Sequence, residues 1–227
     1  MQYSAVLSAA LLVMNASLLS AQAPVTVDEG RFIITRSGQR LGTEDFTIRR
    51  MGGPDRNSFM AKASVAYDDV HLSPALRTDQ DGSPLAYQIE VKAGAELRER
   101  LSGQLGRGRF SARVRTPRGE SAKEYIVSDG ALVLDDEVFH QYYFLARAEL
   151  GTVPVVIPRR NTQVAMRVEM QGKESLSIGG IGVEARHLVV MEPGGARRHV
   201  WIDAQGRVLK VMLEESGITA IRDELPR

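Results

Sequence analysis

Cysteine is absent from this 227-residue chain, and its absence excludes several kinds of chemistry. Without a thiol the protein has no disulfide, thiolate zinc site, cysteine nucleophile or lipidated amino-terminal cysteine. The formal net charge is only +1, so the composition does not point to nucleic acid as a partner. Aromatic residues make up only 6% of the chain, which makes any local concentration of them informative.

The most apolar stretch lies at the start of the chain. It runs from Ala5 to Met14 and leads to the small residues 20–23. The run is too short to span a bilayer, and small residues follow a secretory signal, although the usual basic residues before it are missing. We predict a signal peptide over residues 1–21, cleaved after Ala21 or Ala23. The mature domain, 22–227, is then periplasmic or secreted from a bacterium, with no later segment apolar enough to cross a membrane.

Turn residues recur at regular spacing through most of the remaining chain. Gly, Pro and Asp clusters separate short segments in which apolar and polar residues alternate, which predicts a mostly β protein built as an antiparallel meander. One stretch breaks this pattern. Acidic residues from Asp135 precede Val138 to Arg147, where Val138, Tyr142 and Leu145 share one helical face. We therefore predict one helix over Val138 to Arg147.

The order of these elements resembles an uncharacterised family of bacterial periplasmic proteins related to the lipoprotein-carrier clasp fold. The matching residues are Gly42, Leu134-Asp135, Tyr142-Tyr143-Phe144, Leu150-Gly151, Val200-Trp201-Ile202-Asp203, Gln205-Gly206-Arg207 and Val208-Leu209-Lys210-Val211. The resemblance implies a curved sheet, a half-barrel or clasp, wrapped around the helix with an apolar cavity between them. It implies no catalytic residues.

Aromatic residues are concentrated in the predicted helix, from Phe139 to Phe144. Two interpretations are open: a wide core face, or a pocket wall for an apolar ligand. On the second, Tyr142, Phe144 and Trp201 line the cavity. His187 alternates with apolar residues on a predicted strand, so it is either a core histidine or a ligand contact.

Arginine is concentrated in one predicted hairpin, between residues 98 and 118. Alternation places Arg98, Arg100, Arg113 and Arg115 on one exposed face. A four-residue loop from Leu105 to Gly108 would set Arg100 opposite Arg113 and Arg98 opposite Arg115. Like charges in such positions destabilise a sheet, so either neighbouring carboxylates or a bound anion should compensate them. The face is thus a solvated surface or a site for anionic membrane headgroups.

No catalytic motif stands out in the sequence. The four histidines lack metal-ligand spacing, and no nucleophile motif such as GxSxG is present, so we expect no cofactor. We expect an envelope protein that binds or carries an apolar or amphiphilic ligand, such as a lipid or a lipoprotein acyl chain. Two alternatives remain open: a cell-envelope hydrolase that uses His199 and Asp203, and a non-enzymatic scaffold that binds another protein along a strand edge.

Overall fold

The computed structural model describes residues 23–52 and 58–227, so the predicted signal peptide lies outside the described residues. The described chain forms sixteen strands and one short helix. The elements are β1 (Val25–Arg36), β2 (Gln39–Met51), β3 (Ser58–Tyr67), β4 (Val70–Leu72), β5 (Ala75–Asp79), β6 (Pro84–Ala93), β7 (Glu96–Gly106), β8 (Arg109–Thr116), β9 (Gly119–Ile126), β10 (Leu132–Val133), α1 (Tyr142–Leu145), β11 (Gly151–Ile157), β12 (Thr162–Ile178), β13 (Ile181–Met191), β14 (Arg197–Ile202), β15 (Val208–Leu213) and β16 (Ile218–Arg222).

All strands belong to one large curved sheet, which confirms the predicted mostly β meander. Its order is β10-β11-β12-β13-β14-β15-β16-β1-β2-β3-β4-β6-β7-β8-β9, and β5 pairs with both β3 and β6. Neighbours along this path are antiparallel, except for the short parallel pair β10 and β11. The pairing of β1 with β16, in which Phe32 lies opposite Arg222, joins the strands of the first half of the chain to those of the second half. A half-barrel or clasp shape stays a prediction.

One face of the sheet, here called the inner face, carries the main hydrophobic core. Alternate residues of β1 and β2, such as Phe32, Ile34 and Ile48, are fully buried on it. The segment from Ala131 to Leu145, here called the central segment, packs against this face, and nearly all of its residues are buried. The core is therefore built from the inner face of the sheet and the chain that lies across it.

The predicted helix over Val138 to Arg147 is wrong in length, because only Tyr142–Leu145 is helical. Every residue from Val138 to Leu145 is buried, so the segment has no solvent face of the kind an amphipathic helix needs. Glu137 has a left-handed backbone, with φ of 62°, which prevents a helix from continuing out of the acidic residues.

A carboxylate from a distant strand takes the place of the predicted helix cap. Glu44 of β2 accepts hydrogen bonds from the backbone N–H groups of Phe139, at 2.7 Å, and His140, at 2.8 Å. Its Oε1 also lies 2.6 Å from Nδ1 of His140, and both side chains are fully buried. The backbone donors that an N-cap would satisfy are thus satisfied by the sheet.

Asp135 and Tyr142 anchor the central segment at two further points. Asp135 accepts hydrogen bonds from the Tyr87 hydroxyl, at 2.8 Å, and from Nε of Arg159, at 3.0 Å. Burial raises the pKa of Asp135, and the charge of Arg159 opposes that rise. Arg198 donates to the Tyr142 hydroxyl at 2.9 Å. These contacts leave the segment fixed to the inner face by polar as well as apolar interactions.

The predicted register of the arginine hairpin is wrong by two residues. Gly106 pairs with Arg109, so the turn contains only Arg107 and Gly108, both with positive φ, at 52° and 70°. Two-residue turns of this backbone type match the twist of a hairpin. Arg100 consequently lies opposite Arg115.

The four arginines of this exposed face are here called the arginine stripe. The other two, Arg98 and Arg113, are also placed differently from the prediction. Arg113 lies opposite Ser102, and Arg98 lies beyond the β7–β8 pairing, at the irregularity between β6 and β7. The new register brings the Phe110 ring directly over Gly103, where a β-carbon would come within 2.2 Å of it. The glycine therefore leaves the space that this ring occupies.

Candidate functional site

The predicted ligand-binding residues lie on opposite faces of the sheet. Tyr142 and Phe144 belong to the main core, where they are only 2% and 4% exposed. Trp201 belongs to a second apolar cluster on the other face, here called the outer face. The structure therefore does not bring these aromatic rings together, and the helical ones belong to the main core.

The second cluster is small and lies where β12 to β16 cross the outer face. Its buried members are Ile178, Ala185, Trp201 and Leu209. Partly buried side chains close around them, among them Ile221 of β16 and Leu225, which follows that strand. His187 stacks directly on the Trp201 indole, with ring centroids 4.5 Å apart and planes 10° apart. His187 is buried by this aromatic contact.

Four side chains form a row of polar contacts beside this cluster, here called the histidine chain: Glu174, His187, His199 and Glu214. Oε1 of Glu174 lies 2.7 Å from Nδ1 of His187. Nε2 of His187 lies 2.9 Å from Nδ1 of His199, and Nε2 of His199 lies 3.5 Å from a Glu214 oxygen. The row joins β12, β13 and β14 to the turn that follows β15.

Trp201 contacts Glu174 of the histidine chain and Lys210 of β15. Its indole N–H donates to Oε2 of Glu174 at 2.8 Å, and the ammonium of Lys210 lies 4.3 Å from the ring centroid. The hydrogen bond from Trp201, followed by the contact with His187, holds the pKa of Glu174 below its usual value. Glu174 is therefore an ionised carboxylate with both oxygens engaged.

The hydrolase hypothesis paired His199 with Asp203, and the structure does not bring these residues into contact. Asp203 serves the β14–β15 turn, where it accepts backbone hydrogen bonds from Gln205, at 2.9 Å, and Arg207, at 2.8 Å. Its second oxygen accepts from Nε of Arg207 at 2.7 Å. Its carboxylate is therefore committed to the turn.

A cavity of about 790 Å³ lies on β1, β2 and β3, here called the β1–β3 cavity. Residues 26–31 of β1 line it, together with Asp45, Phe46, Thr47, Lys62 and Ala63 from the next two strands. Arg222 to Leu225 and Arg227 form the remaining wall. Leu225 also packs against the Trp201 cluster, so the cavity and the histidine chain are neighbouring features of the sheet.

Charges of both signs surround the β1–β3 cavity. Arg31 pairs with Asp45 at 2.7 Å, with both side chains half exposed. Deeper in the wall, the buried Arg222 donates to Asp28 at 2.6 Å and to the carbonyl oxygen of Glu29 at 2.9 Å. Burial raises the pKa of Asp28, against the opposing charge of Arg222.

Asp28 has one carboxylate oxygen without a described hydrogen-bond partner. This is Oδ1, which is buried, and the other oxygen, Oδ2, accepts from Arg222. Arg222 reaches this position because Gly30 has no side chain, and a β-carbon there would lie 2.8 Å from the guanidinium. The cavity wall thus contains a buried ion pair with a spare acceptor.

The arginine stripe is exposed, as predicted, and carboxylates accompany it. Arg100 donates to Glu90, and Arg98 and Arg113 lie 3.2 Å from Glu96 and Glu120 respectively. Arg115 lies opposite Glu120 across the β8–β9 pairing. Of the two kinds of compensation that the sequence left open, neighbouring carboxylates are present, and binding of anionic headgroups stays a prediction.

Glu174, Lys210 and Glu214 were missed by the sequence analysis. Glu174 and His187 are thirteen residues apart and meet because β12 and β13 pair over eleven positions with an irregularity between Met170 and Gly172. Lys210 lies opposite Trp201 on β15. The usable signal was the alternation that puts His199 and Trp201 on one face of β14, because it marks a face with polar and aromatic residues.

No family model matches the chain, and no curated protein or solved structure matches it either. Residues 23–52 and 58–227 contain no group of three or more acidic or histidine side chains arranged to hold a metal ion. Within the same ranges, no helix is long and apolar enough to cross a membrane. The resemblance to the lipoprotein-carrier clasp fold therefore stays a prediction.

Proposed function

We propose that this protein is an exported, non-enzymatic binding protein of the bacterial envelope, and that it holds an amphiphilic ligand in the β1–β3 cavity. The cavity itself carries the proposal. Its volume of about 790 Å³ lies within the range of small-molecule sites, and apolar and charged groups share its wall. The predicted export and the resemblance to lipid-handling periplasmic proteins support the same class of ligand.

The charges of the wall favour a ligand whose polar end carries both signs. Basic and acidic side chains line the same space. The basic ones are Arg31, Lys62 and Arg227, and the acidic ones are Glu29, Asp45, Asp223 and Glu224. A purely anionic headgroup would meet these carboxylates, whereas a zwitterionic one can pair with both kinds of group. Leu225 and Val27 offer apolar surface for the chain of such a molecule. We therefore expect a zwitterionic amphiphile in preference to an anionic one.

The test is calorimetric titration of the protein with monomeric dodecylphosphocholine, a zwitterionic amphiphile, and with dodecyl sulfate at the same concentrations. We expect saturable binding of the first only. Thr47→Phe fills the cavity and should abolish the binding. Thr219→Phe is the matched control, because Thr219 pairs with Thr35 and Met212 on β1 and β15, away from the cavity lining. Equal binding by both variants would refute the location, and no binding by the wild type would refute the function.

Strand β9 favours a second candidate function, that of a scaffold. Its eight residues pair with β8, and the order of the described strands ends there. A filled core with an open edge is suited to pairing with a partner strand. However, Glu120, Lys123 and Glu124 place charges along β9, which is how proteins protect an edge from association. This candidate therefore ranks below ligand binding.

A further inference from the structure

With both rings neutral, the contacts of the histidine chain allow one order of donors and acceptors. A carboxylate only accepts hydrogen bonds, so the 2.7 Å contact with Glu174 places a proton on Nδ1 of His187. Nε2 of that neutral ring is an acceptor, and the 2.9 Å contact then places a proton on Nδ1 of His199. Nε2 of His199 faces Glu214 as a bare acceptor, and the longer separation of 3.5 Å fits two acceptors with no proton between them.

We propose that the His187–His199 pair is a proton-binding site that takes up one proton, at Nε2 of His199, and resists a second. The first proton converts the contact with Glu214 into a charge-assisted hydrogen bond, so all four ring nitrogens have partners. The positive charge is shared across the bond between the rings. A second proton would set two N–H groups against each other across a 2.9 Å gap.

The surrounding charges fit a site of single uptake. Glu174 on β12 and Glu214 after β15 stand at the two ends of the row. Lys210 on β15 lies against the indole that stacks on His187, and Arg197 is two residues before His199 on β14. Two carboxylates favour one cation between them, and the two basic groups oppose a further charge.

The ring geometry is that of a shared proton and not of two ligands on one metal ion. The ring centroids of His187 and His199 are 5.1 Å apart, while the two facing nitrogens are 2.9 Å apart. The contact therefore runs nearly along the line between the rings. The two facing nitrogens point at each other and do not converge on a third atom.

Proton uptake at this site changes how the outer face is tied together. With one proton taken up, the histidine chain links β12, β13 and β14 to the turn after β15 by three hydrogen bonds. With a second proton taken up, the histidine chain loses its central hydrogen bond, between His187 and His199, next to the stacked Trp201. Because histidine is the side chain that changes charge between pH 5 and 8, this site makes the β12–β13 hairpin respond to acidification in two stages.

The experiment is nitrogen-15 NMR of the imidazole rings of the intact protein, followed from alkaline to acidic pH. We expect Nδ1–H tautomers for both His187 and His199 at high pH. On acidification, one proton should be taken up by the pair, with both rings changing together, and a second only at much lower pH. The exposed His71 on β4, outside the histidine chain, serves as an internal reference ring.

Two neighbouring glutamates provide the matched variants. Glu214→Gln should shift the first uptake to lower pH, because the amide cannot supply the negative charge. Glu215→Gln is the matched control, because Glu215 lies next to Glu214 in the same exposed turn. This variant should leave the pH of the first uptake unchanged. Nε2–H tautomers at high pH, independent titration of the two rings, or equal curves for both variants would overturn the proposal. So would stoichiometric zinc binding that removes both titrations.

Discussion

Replacing Glu44 with alanine should be among the most destabilising substitutions in the protein. The carboxylate accepts two backbone N–H groups, from Phe139 and His140, and contacts the His140 ring, all within 2.8 Å and fully buried. Each buried donor that loses its partner costs about 1–3 kcal/mol. Removing one partner of a buried charged pair costs about 3–5 kcal/mol, which is similar to the cost of leaving two buried donors without a partner. We therefore expect a loss of about 3–5 kcal/mol in the free energy of unfolding.

Urea denaturation followed by near-ultraviolet circular dichroism measures this loss, because the central segment contains several of the aromatic residues. Glu44→Gln keeps one carbonyl acceptor and should lose less than the alanine variant. Asp45→Ala is the matched control, since the adjacent carboxylate forms a half-exposed pair with Arg31 and should cost no more than about 1 kcal/mol. If Glu44→Ala costs as little as Asp45→Ala, the carboxylate does not anchor the central segment and the reasoning fails.

Three further predictions concern the core, the pH dependence and the arginine stripe. Gly103→Ala should cost about 1–3 kcal/mol in denaturation experiments, because the new methyl group overlaps the Phe110 ring. The pKa of Asp28 is raised by folding, so its contribution to stability is fully present below the ordinary pKa of 3.8 and is lost as the pH rises through the raised pKa. Asp28→Asn should therefore make the free energy of unfolding depend less on pH over that range. Arg100→Gln combined with Arg113→Gln should bind anionic vesicles as the wild type does in flotation assays, because carboxylates already pair with both.

Each of these has a control variant or an outcome that would contradict it. Gly106→Ala, on the same strand as Gly103, should cost less, because a β-carbon at Gly106 would have no other atom within 4 Å. Equal losses would contradict the packing argument. A slope of stability against pH that is the same in Asp28→Asn as in the wild type would rule out the role assigned to the buried Asp28 carboxyl. Weaker binding of anionic vesicles by the double arginine variant, with neutral vesicles unaffected, would show that the stripe does recognise headgroups.

Local patterns predicted the strands but not the long-range contacts. Alternation and turn residues gave the meander, the exposed face of the arginine hairpin and the shared face of His199 and Trp201. The length of the helix was wrong because its first turn is satisfied by Glu44, almost a hundred residues earlier in the chain. The hairpin register was wrong because it depends on Arg107 adopting a positive φ, which a non-glycine residue seldom does.

The site could be predicted only in part for a related reason. A period of two shows which residues of a strand share a face, but it does not show which face meets the core. Trp201 and Tyr142 are both buried and aromatic, so the sequence placed them together, whereas the sheet lies between them. Glu174 and Glu214 entered the histidine chain through strand pairing, which no local pattern of charges revealed.

Strand β12 takes part in two hydrophobic clusters, and this gives the protein two levels of local stability. Its first half buries Met166 and Val168 in the main core, and its far end buries Ile178 in the small outer cluster. Because four buried residues of the described chain form the centre of that cluster, far fewer than in the main core, the end of the β12–β13 hairpin should open without the rest of the sheet. Amide hydrogens of residues 174–186 should therefore exchange with solvent faster than those of residues 164–170, and the outer face would act as a separately melting unit within a continuous sheet.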